Sequence, residues 1–165
     1  LVKDNFAAWF GESCVLDAHG EPLMVYHGTK SDFSSFKVGR EGIFFAESPA
    51  TANFYANKRG SNVIPAYLCI QNPLRMTWRE WMRGITDGGT NHYMIGNEGL
   101  ASLGYDGVVL SKPDERDPAM SSITYVAFHA GQIKSAIGNS GDYDPQCDSI
   151  TDAAPVPNPS KGYSL

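Results

Sequence analysis

An α+β domain, two packed sheets with helices on their flanks, is the fold class this chain predicts. Strand-like runs are short, and helical runs come between groups of them rather than alternating one for one. A length of 165 residues, 42% of them hydrophobic and 19% charged, is enough for one proper core and too little for two comfortable domains. The spacings divide the chain into a domain over residues 1–138 and an extended or flexible tail over 139–165.

Val2, Phe6, Trp9 and Phe10 fall at helical spacing, which predicts a short amphipathic helix over 2–10 that Gly11 stops. Asp17-Ala18-His19-Gly20 reads as a turn, and Pro22 starts a strand from Leu23 to His27. Residues 31–39 form a polar loop with Phe33 and Phe36 as inward-facing candidates. Gly42 to Ala46 is a second strand, with Phe45 toward the core. Ser48-Pro49 then opens a helix that continues to Asn57. Val63 to Ile70 is rich in strand formers and ends at Asn72-Pro73. Thr77 to Arg83 reads as helix with Trp78, Trp81 and Met82 on one side. Gly88-Gly89 breaks it, and Thr90 to Leu103 forms another helix ending at Gly104. Strands follow at 106–111 and 123–128, separated by an exposed, charged, proline-containing loop over 112–119, with a shorter segment around Ile133 to Ile137. From Gly138 onward the composition shifts to Gly, Asp, Asn, Ser and Pro.

Net charge is −5, with acidic residues spread along the chain, so the general basic footprint of a nucleic-acid binder is missing. Cys14, Cys69 and Cys147 are odd in number and lack paired spacing, which suggests neither a disulfide framework nor a zinc site. Cys69 lies in an apolar run and reads as a buried small residue. No apolar stretch approaches the roughly 20 residues a membrane helix needs. The first residue is Leu1, so a processed product or a domain of something longer is expected. No Gly-x-Gly-x-x-Gly follows a strand, which speaks against a Rossmann site.

Two stretches are too particular for packing alone. Val25-Tyr26-His27-Gly28-Thr29 ends a strand in an imidazole, a glycine where backbone can approach a ligand, and a hydroxyl. Gly42-Ile43-Phe44-Phe45-Ala46 runs on to a helix carrying Asn53-Phe54-Tyr55. A polar hook on one strand and an aromatic plate after the next suit a planar amide attached to a ribose, the description of nicotinamide.

These residues resemble the NAD-binding half of ADP-ribosyltransferases of the diphtheria-toxin and poly(ADP-ribose) polymerase type. A third block, Thr124-Tyr125-Val126-Ala127-Phe128 leading to Gln132-Ile133-Lys134-Ser135-Ala136, is similar to the family's last motif strand. Trp9-Phe10-Gly11-Glu12-Ser13, Gly20-Glu21-Pro22-Leu23 and the stretch from Gly138-Asn139 to Asp144-Pro145 resemble one branch in particular. That branch is the domain found in polyvalent proteins of phages and mobile elements. The resemblance spans residues 3 to 145 in the right order.

The resemblance implies a split, mostly antiparallel β-sandwich holding NAD in the cleft between its sheets. It implies mono-ADP-ribosyl transfer with release of nicotinamide, NAD as substrate, no metal, and a toxin or effector role. The acceptor would be a macromolecule, protein rather than nucleic acid, with no membrane partner. In this reading His27 bonds ribose hydroxyls, Gly28 offers its backbone to the carboxamide, and Thr29 helps hold the cofactor. Phe44 stands where the family carries a tyrosine, keeping the pocket wall without the hydroxyl. Tyr55 stacks on the nicotinamide, or Phe54 does if the helix is rotated.

Thr124 occupies the position of the family's catalytic glutamate, whose charge stabilises the oxocarbenium-like centre. Three explanations follow. The acceptor's own carboxylate supplies the base; the acid comes from Glu47, Glu41 or Glu115; or the domain is a catalytically inactive module for NAD, ADP-ribose or a partner. Glu47 also reads simply as a carboxylate favoured before a helix N-terminus. Arg40 could reach the diphosphate or lie solvated. Gln132, Lys134 and Ser135 read as structural. RNA 2′-phosphotransfer, served by the same fold, is a distant third because His19, His92 and His129 lie outside matching blocks.

Overall fold

The computed structural model of the chain describes residues 2–30, 33–59, 62–86, 88–111 and 122–152, without the side chains of 2–4, 55 and 57–59. In chain order the elements are α1 (Val2–Phe10), β1 (Val25–Thr29), β2 (Ile43–Ala46), α2 (Pro49–Arg59), β3 (Asn62–Leu68), β4 (Pro73–Thr77), α3 (Trp78–Arg83), α4 (His92–Ser102), β5 (Gly107–Ser111), β6 (Thr124–Ala127) and β7 (Ile133–Ser135). The strands pair in the order β4-β5-β6-β2-β1-β3-β7. The α+β class holds. The pairing is one mixed sheet of seven strands rather than two separate ones, and β4 with β5 is a parallel pair.

Side-chain alternation divides the core between the two faces of this sheet. Ile43 and Phe45 of β2, Val109 of β5, and Tyr125 and Ala127 of β6 join Val25, Ala66, Leu68 and Ile133 in one cluster. Val15, Phe36 and Ile150, all from loops, cover that face. Phe44, Val108, Leu110 and Val126 turn the other way and meet Trp78 and Trp81 of α3 and Leu100 of α4. The pattern Ile43-Phe44-Phe45 is therefore core on both sides.

Several local devices were readable, others were not. Thr77 accepts from the Glu80 amide at 3.2 Å while the Glu80 carboxylate accepts from the Thr77 amide at 2.7 Å, a reciprocal cap that starts α3. Gly84 ends that helix at φ 79°, where any Cβ would also strike the Tyr93 ring. The expectation that Met82 joins the tryptophans fails: Trp78 and Trp81 are buried, but Met82 is exposed. β4 was missed because Asn72-Pro73 reads as a break, whereas proline is tolerated as the first residue of an edge strand. Asp106 sets it beside β5 by accepting the Gln71 and Asn72 amides at 2.7 and 2.8 Å. α4 starts at His92, with Asn91 as its cap, and kinks at Gly96 (φ 63°, ψ −174°).

Residues 139–152, expected to be an extended or flexible tail, are tied to the body. Ser135 N donates to Ile150 O and Ile150 N to Ser34 O, both at 2.7 Å, and Ile150 is core. The fully buried Lys134 ammonium reaches Asp152 Oδ1 at 2.5 Å and the Cys147 carbonyl at 2.9 Å. Gln132 spends its amide on four backbone groups, those of Cys69, Asp106, Phe128 and His129, in keeping with a structural role. The loop expected over 112–119 and residues 153–165 lie outside the described residues.

Candidate functional site

β1 and β2 pair at Tyr26 opposite Ala46. Beyond it each strand follows its other neighbour: β1 stays with β3 from Val25↔Ala66 to Thr29↔Asn62, and β2 stays with β6 from Ala46↔Thr124 to Ile43↔Ala127. The sheet therefore parts between its middle strands. A cleft of about 1050 Å³ opens there. Its lining draws from both faces, His27, Phe36 and Phe45 from one, Tyr26, Gly28, Phe44, Trp78 and Thr124 from the other.

His27 spans the gap. Its Nδ1 lies 2.7 Å from the Phe44 carbonyl oxygen. A carbonyl only accepts, so Nδ1 carries a proton. The side chain replaces a ladder bond lost where the strands separate. Phe36 stands edge-on to the imidazole at 4.9 Å, and Phe33 edge-on to Phe36 at 4.6 Å. The loop 33–36 that supplies these rings is bridged to the C-terminal stretch through Ser35 and Ser149.

Gly28 lines the cleft, and its glycine character has a cause besides the one expected. A Cβ there would lie 2.4 Å from the Ala52 carbonyl oxygen and 2.8 Å from the Ala56 amide nitrogen of α2. The missing side chain lets α2 sit directly on β1. Thr29 is at the end of β1, opposite Asn62, and is not among the residues around the cleft. Tyr55 is on α2, one turn after the cleft-lining Ala52, and its side chain lies outside the described residues.

Phe44 meets Trp81 edge-on at 5.5 Å. Trp81 in turn stacks on His92 at 4.2 Å, 18° from parallel. Thr124 is buried in the same wall, and its Oγ1 has no hydrogen-bond partner among the described residues. His92 is also buried, and burial holds its pKa below the usual histidine value.

Of the three carboxylates considered as substitutes for the glutamate, Glu41 lines the cleft. Glu47 accepts the Ile123 amide at 3.3 Å and lies near Tyr125, whose hydroxyl burial and then the Glu47 charge push up to about 12. It thus belongs to the face turned away from Thr124. Glu115 is outside the described residues. Arg40 is at the cleft edge, but its guanidinium donates to the Tyr93 carbonyl at 3.2 Å and to that of Met94. The Arg40 carbonyl accepts the Asn97 amide at 2.9 Å, so this residue clamps the kink of α4. The signal missed in the sequence was Trp78, read only as lying on one side of a helix with Trp81 and Met82, which reaches the cleft.

Comparison with known proteins adds three findings. No curated protein matches the chain. A crystal structure of an anti-CRISPR protein matches over 64% of this chain and 89% of that one, at 13% identity and a TM-score of 0.36. That value is too low to carry an argument. The family described as ADP-ribosyltransferase in polyvalent proteins matches residues 17–143, which include the parting strands, α2 and Thr124. The chain belongs to that family of ADP-ribosyltransferase domains in polyvalent proteins.

Proposed function

We propose that this domain moves one ADP-ribose unit from NAD to a macromolecular acceptor, protein rather than nucleic acid, and releases nicotinamide, as part of a toxin or effector. The observation that carries the reading is the cleft at the β1/β2 parting, with His27 fixed on the Phe44 carbonyl across it. The family uses NAD as its substrate, and the cleft is large enough for a dinucleotide by the usual size of such sites.

In this mechanism the Nδ1–H bond to Phe44 orients the imidazole, and the ring bonds a ribose hydroxyl. Phe44 supplies an apolar wall. Tyr55, carried one turn beyond Ala52, stacks on the nicotinamide ring, and the β1 backbone at Gly28 faces the carboxamide. The glycosidic C–N bond breaks with its electron pair passing to nicotinamide, which leaves neutral. An acceptor oxygen forms the new bond to the anomeric carbon and gives up its proton. No metal is required, because charge develops on the sugar. Thr124 bonds the ribose but cannot stabilise the positive charge; that falls to the acceptor's own carboxylate or to Glu41, the candidate acid that lines the cleft.

The test is incubation with NAD labelled separately in its nicotinamide and adenylate parts. Nicotinamide release, with adenylate label passing to protein, is expected, slow with water alone and faster with a carboxylate-bearing acceptor. Thr124→Glu is expected to raise cleavage about 100- to 1000-fold by restoring an anion beside the developing charge. Saturable binding with no release in either form would instead make the domain an NAD or ADP-ribose binding module.

A further inference from the structure

Four buried side-chain nitrogen and oxygen atoms lack a hydrogen-bond partner among the described residues: Trp78 Nε1, both ring nitrogens of His92, and Thr124 Oγ1. All belong to one side of the sheet. Thr124 shares the parity of Val126 on β6, whose side chain joins the Trp78–Trp81 cluster, and His92 stacks on Trp81. A buried polar atom left unpaired costs about 1–3 kcal/mol, so such atoms are rarely retained without a reason. Concentration of all four behind one wall of the cleft points to a partner that arrives with the ligand.

Two of the three residues touch the cleft itself, Trp78 and Thr124. Trp78 opens α3 directly after β4, and Thr124 opens β6; β5 lies between them, its Leu110 pairing with Thr124 on one side and on the other with Met76, two residues before Trp78. Trp78 is 7% exposed and Thr124 4%. An indole N–H can only donate, so its complement must be an acceptor oxygen; a threonine hydroxyl both donates and accepts. The setting is aromatic, formed by Phe44, Trp78 and Trp81, and the nearby cation Arg40 is engaged with carbonyls of α4. Lys37 also lines the cleft, but the indole N–H and the threonine hydroxyl are themselves uncharged, and the group that suits them is a neutral oxygen group.

We infer that Trp78 Nε1 and Thr124 Oγ1 together bind a neutral, oxygen-bearing group of the cleft ligand, a sugar hydroxyl or a carboxamide. This makes Trp78 a ligand contact in addition to a core residue. The inference rests on the reading of the cleft as the NAD site. Neither atom is open to solvent in the unliganded wall, so occupation involves a rotamer change at Thr124 and a small shift of the indole.

The test uses Thr124→Val, which keeps shape and removes the hydroxyl, and Trp78→Phe, which keeps an aromatic ring and removes the N–H. Affinities for NAD, ADP-ribose and nicotinamide are measured by calorimetry, with thermal melts of the free proteins alongside. Each variant is expected to bind NAD about tenfold more weakly. Thr124→Val should melt at or above the wild-type temperature, because an unpaired buried hydroxyl has been removed. A residue of purely structural importance would show the opposite pattern. Loss confined to ADP-ribose and NAD identifies a sugar hydroxyl; loss that extends to nicotinamide alone identifies the carboxamide. If the wild type binds NAD and both variants bind it equally well, the inference is overturned while the NAD reading stands. If Trp78→Phe fails to fold, unchanged affinity in Thr124→Val alone refutes the pair. A wild type that binds none of the three ligands removes the NAD reading and this inference with it.

Discussion

Replacing Gly28 by alanine places a methyl group 2.4 Å from one backbone atom of α2 and 2.8 Å from another. Carbon contacts settle at about 3.5–4.0 Å, so the helix must retreat by roughly 1 Å or β1 must bend. Neither partner is the tip of a flexible side chain, and the strand is held on its far side by five successive pairings with β3. Overpacking of this kind costs about 1–3 kcal/mol. At about 2–4 °C per kcal/mol for a chain of this size, the melting temperature should fall by about 2–12 °C. The measurement is thermal unfolding followed by circular dichroism, with and without NAD. Because α2 also carries Tyr55, a displaced helix should weaken NAD binding as a second consequence. A variant that melts with the wild type and loses only affinity would refute the packing argument, since it would mean the space beside Gly28 belongs to the ligand.

Three further outcomes follow from the same geometry. Tyr55→Ala should weaken NAD binding by about 1–3 kcal/mol in calorimetry with the melting temperature little changed; unchanged affinity would move the aromatic plate to Phe54 or Phe44. Asp152→Ala leaves the buried Lys134 ammonium without its carboxylate partner and should cost about 3–5 kcal/mol in urea unfolding, where a loss below 1 kcal/mol would mean water reaches the site. His92 has its pKa depressed by burial, so the unfolded chain binds the proton more readily and stability should fall as pH drops below the ordinary histidine value of about 6.5. His92→Phe should flatten the decline in melting temperature between pH 7.5 and 5, and an unaltered slope would assign it to other groups.

The middle of the sheet was legible because its code is local. Ile43-Phe44-Phe45 alternates between two apolar clusters, and that alternation is printed in three adjacent letters. The N-terminal cap of α3 is equally local, with Thr77 and Glu80 three residues apart. What escaped depends on long-range partners. β4 begins at a proline, and nothing near Pro73 announces that Asp106, 34 residues beyond Asn72, will hold it in register. The stretch 139–152 has loop composition, yet the Lys134–Asp152 pair and Ile150 tie it to the core.

Site residues divide along the same line. The His27-Gly28 and Phe44 motif placed the cleft, because those residues sit on the two strands that part. It gave no sign of a second reason for Gly28, since the atoms that forbid a side chain belong to Ala52 and Ala56 on the next helix. Arg40 looked available for a diphosphate because its acceptors, the Tyr93 and Met94 carbonyls, are more than fifty residues away and carry no side-chain signature. Trp78, placed by the sequence only on one side of a helix, is core; that its indole nitrogen also lacks a partner emerges only when the fold is assembled.

The central claim is that NAD occupies the opening between β1 and β2. A crystal structure of the wild-type protein soaked with NAD tests it most directly. The expected result is the nicotinamide riboside between the two strands, with a ribose hydroxyl on His27 Nε2, the Phe44 ring against the ligand, and Thr124 within hydrogen-bonding distance of it. NAD bound elsewhere, for example beside Val38 and Ile95 at the kink of α4, with His27 still packed against Phe36 and untouched, would contradict it.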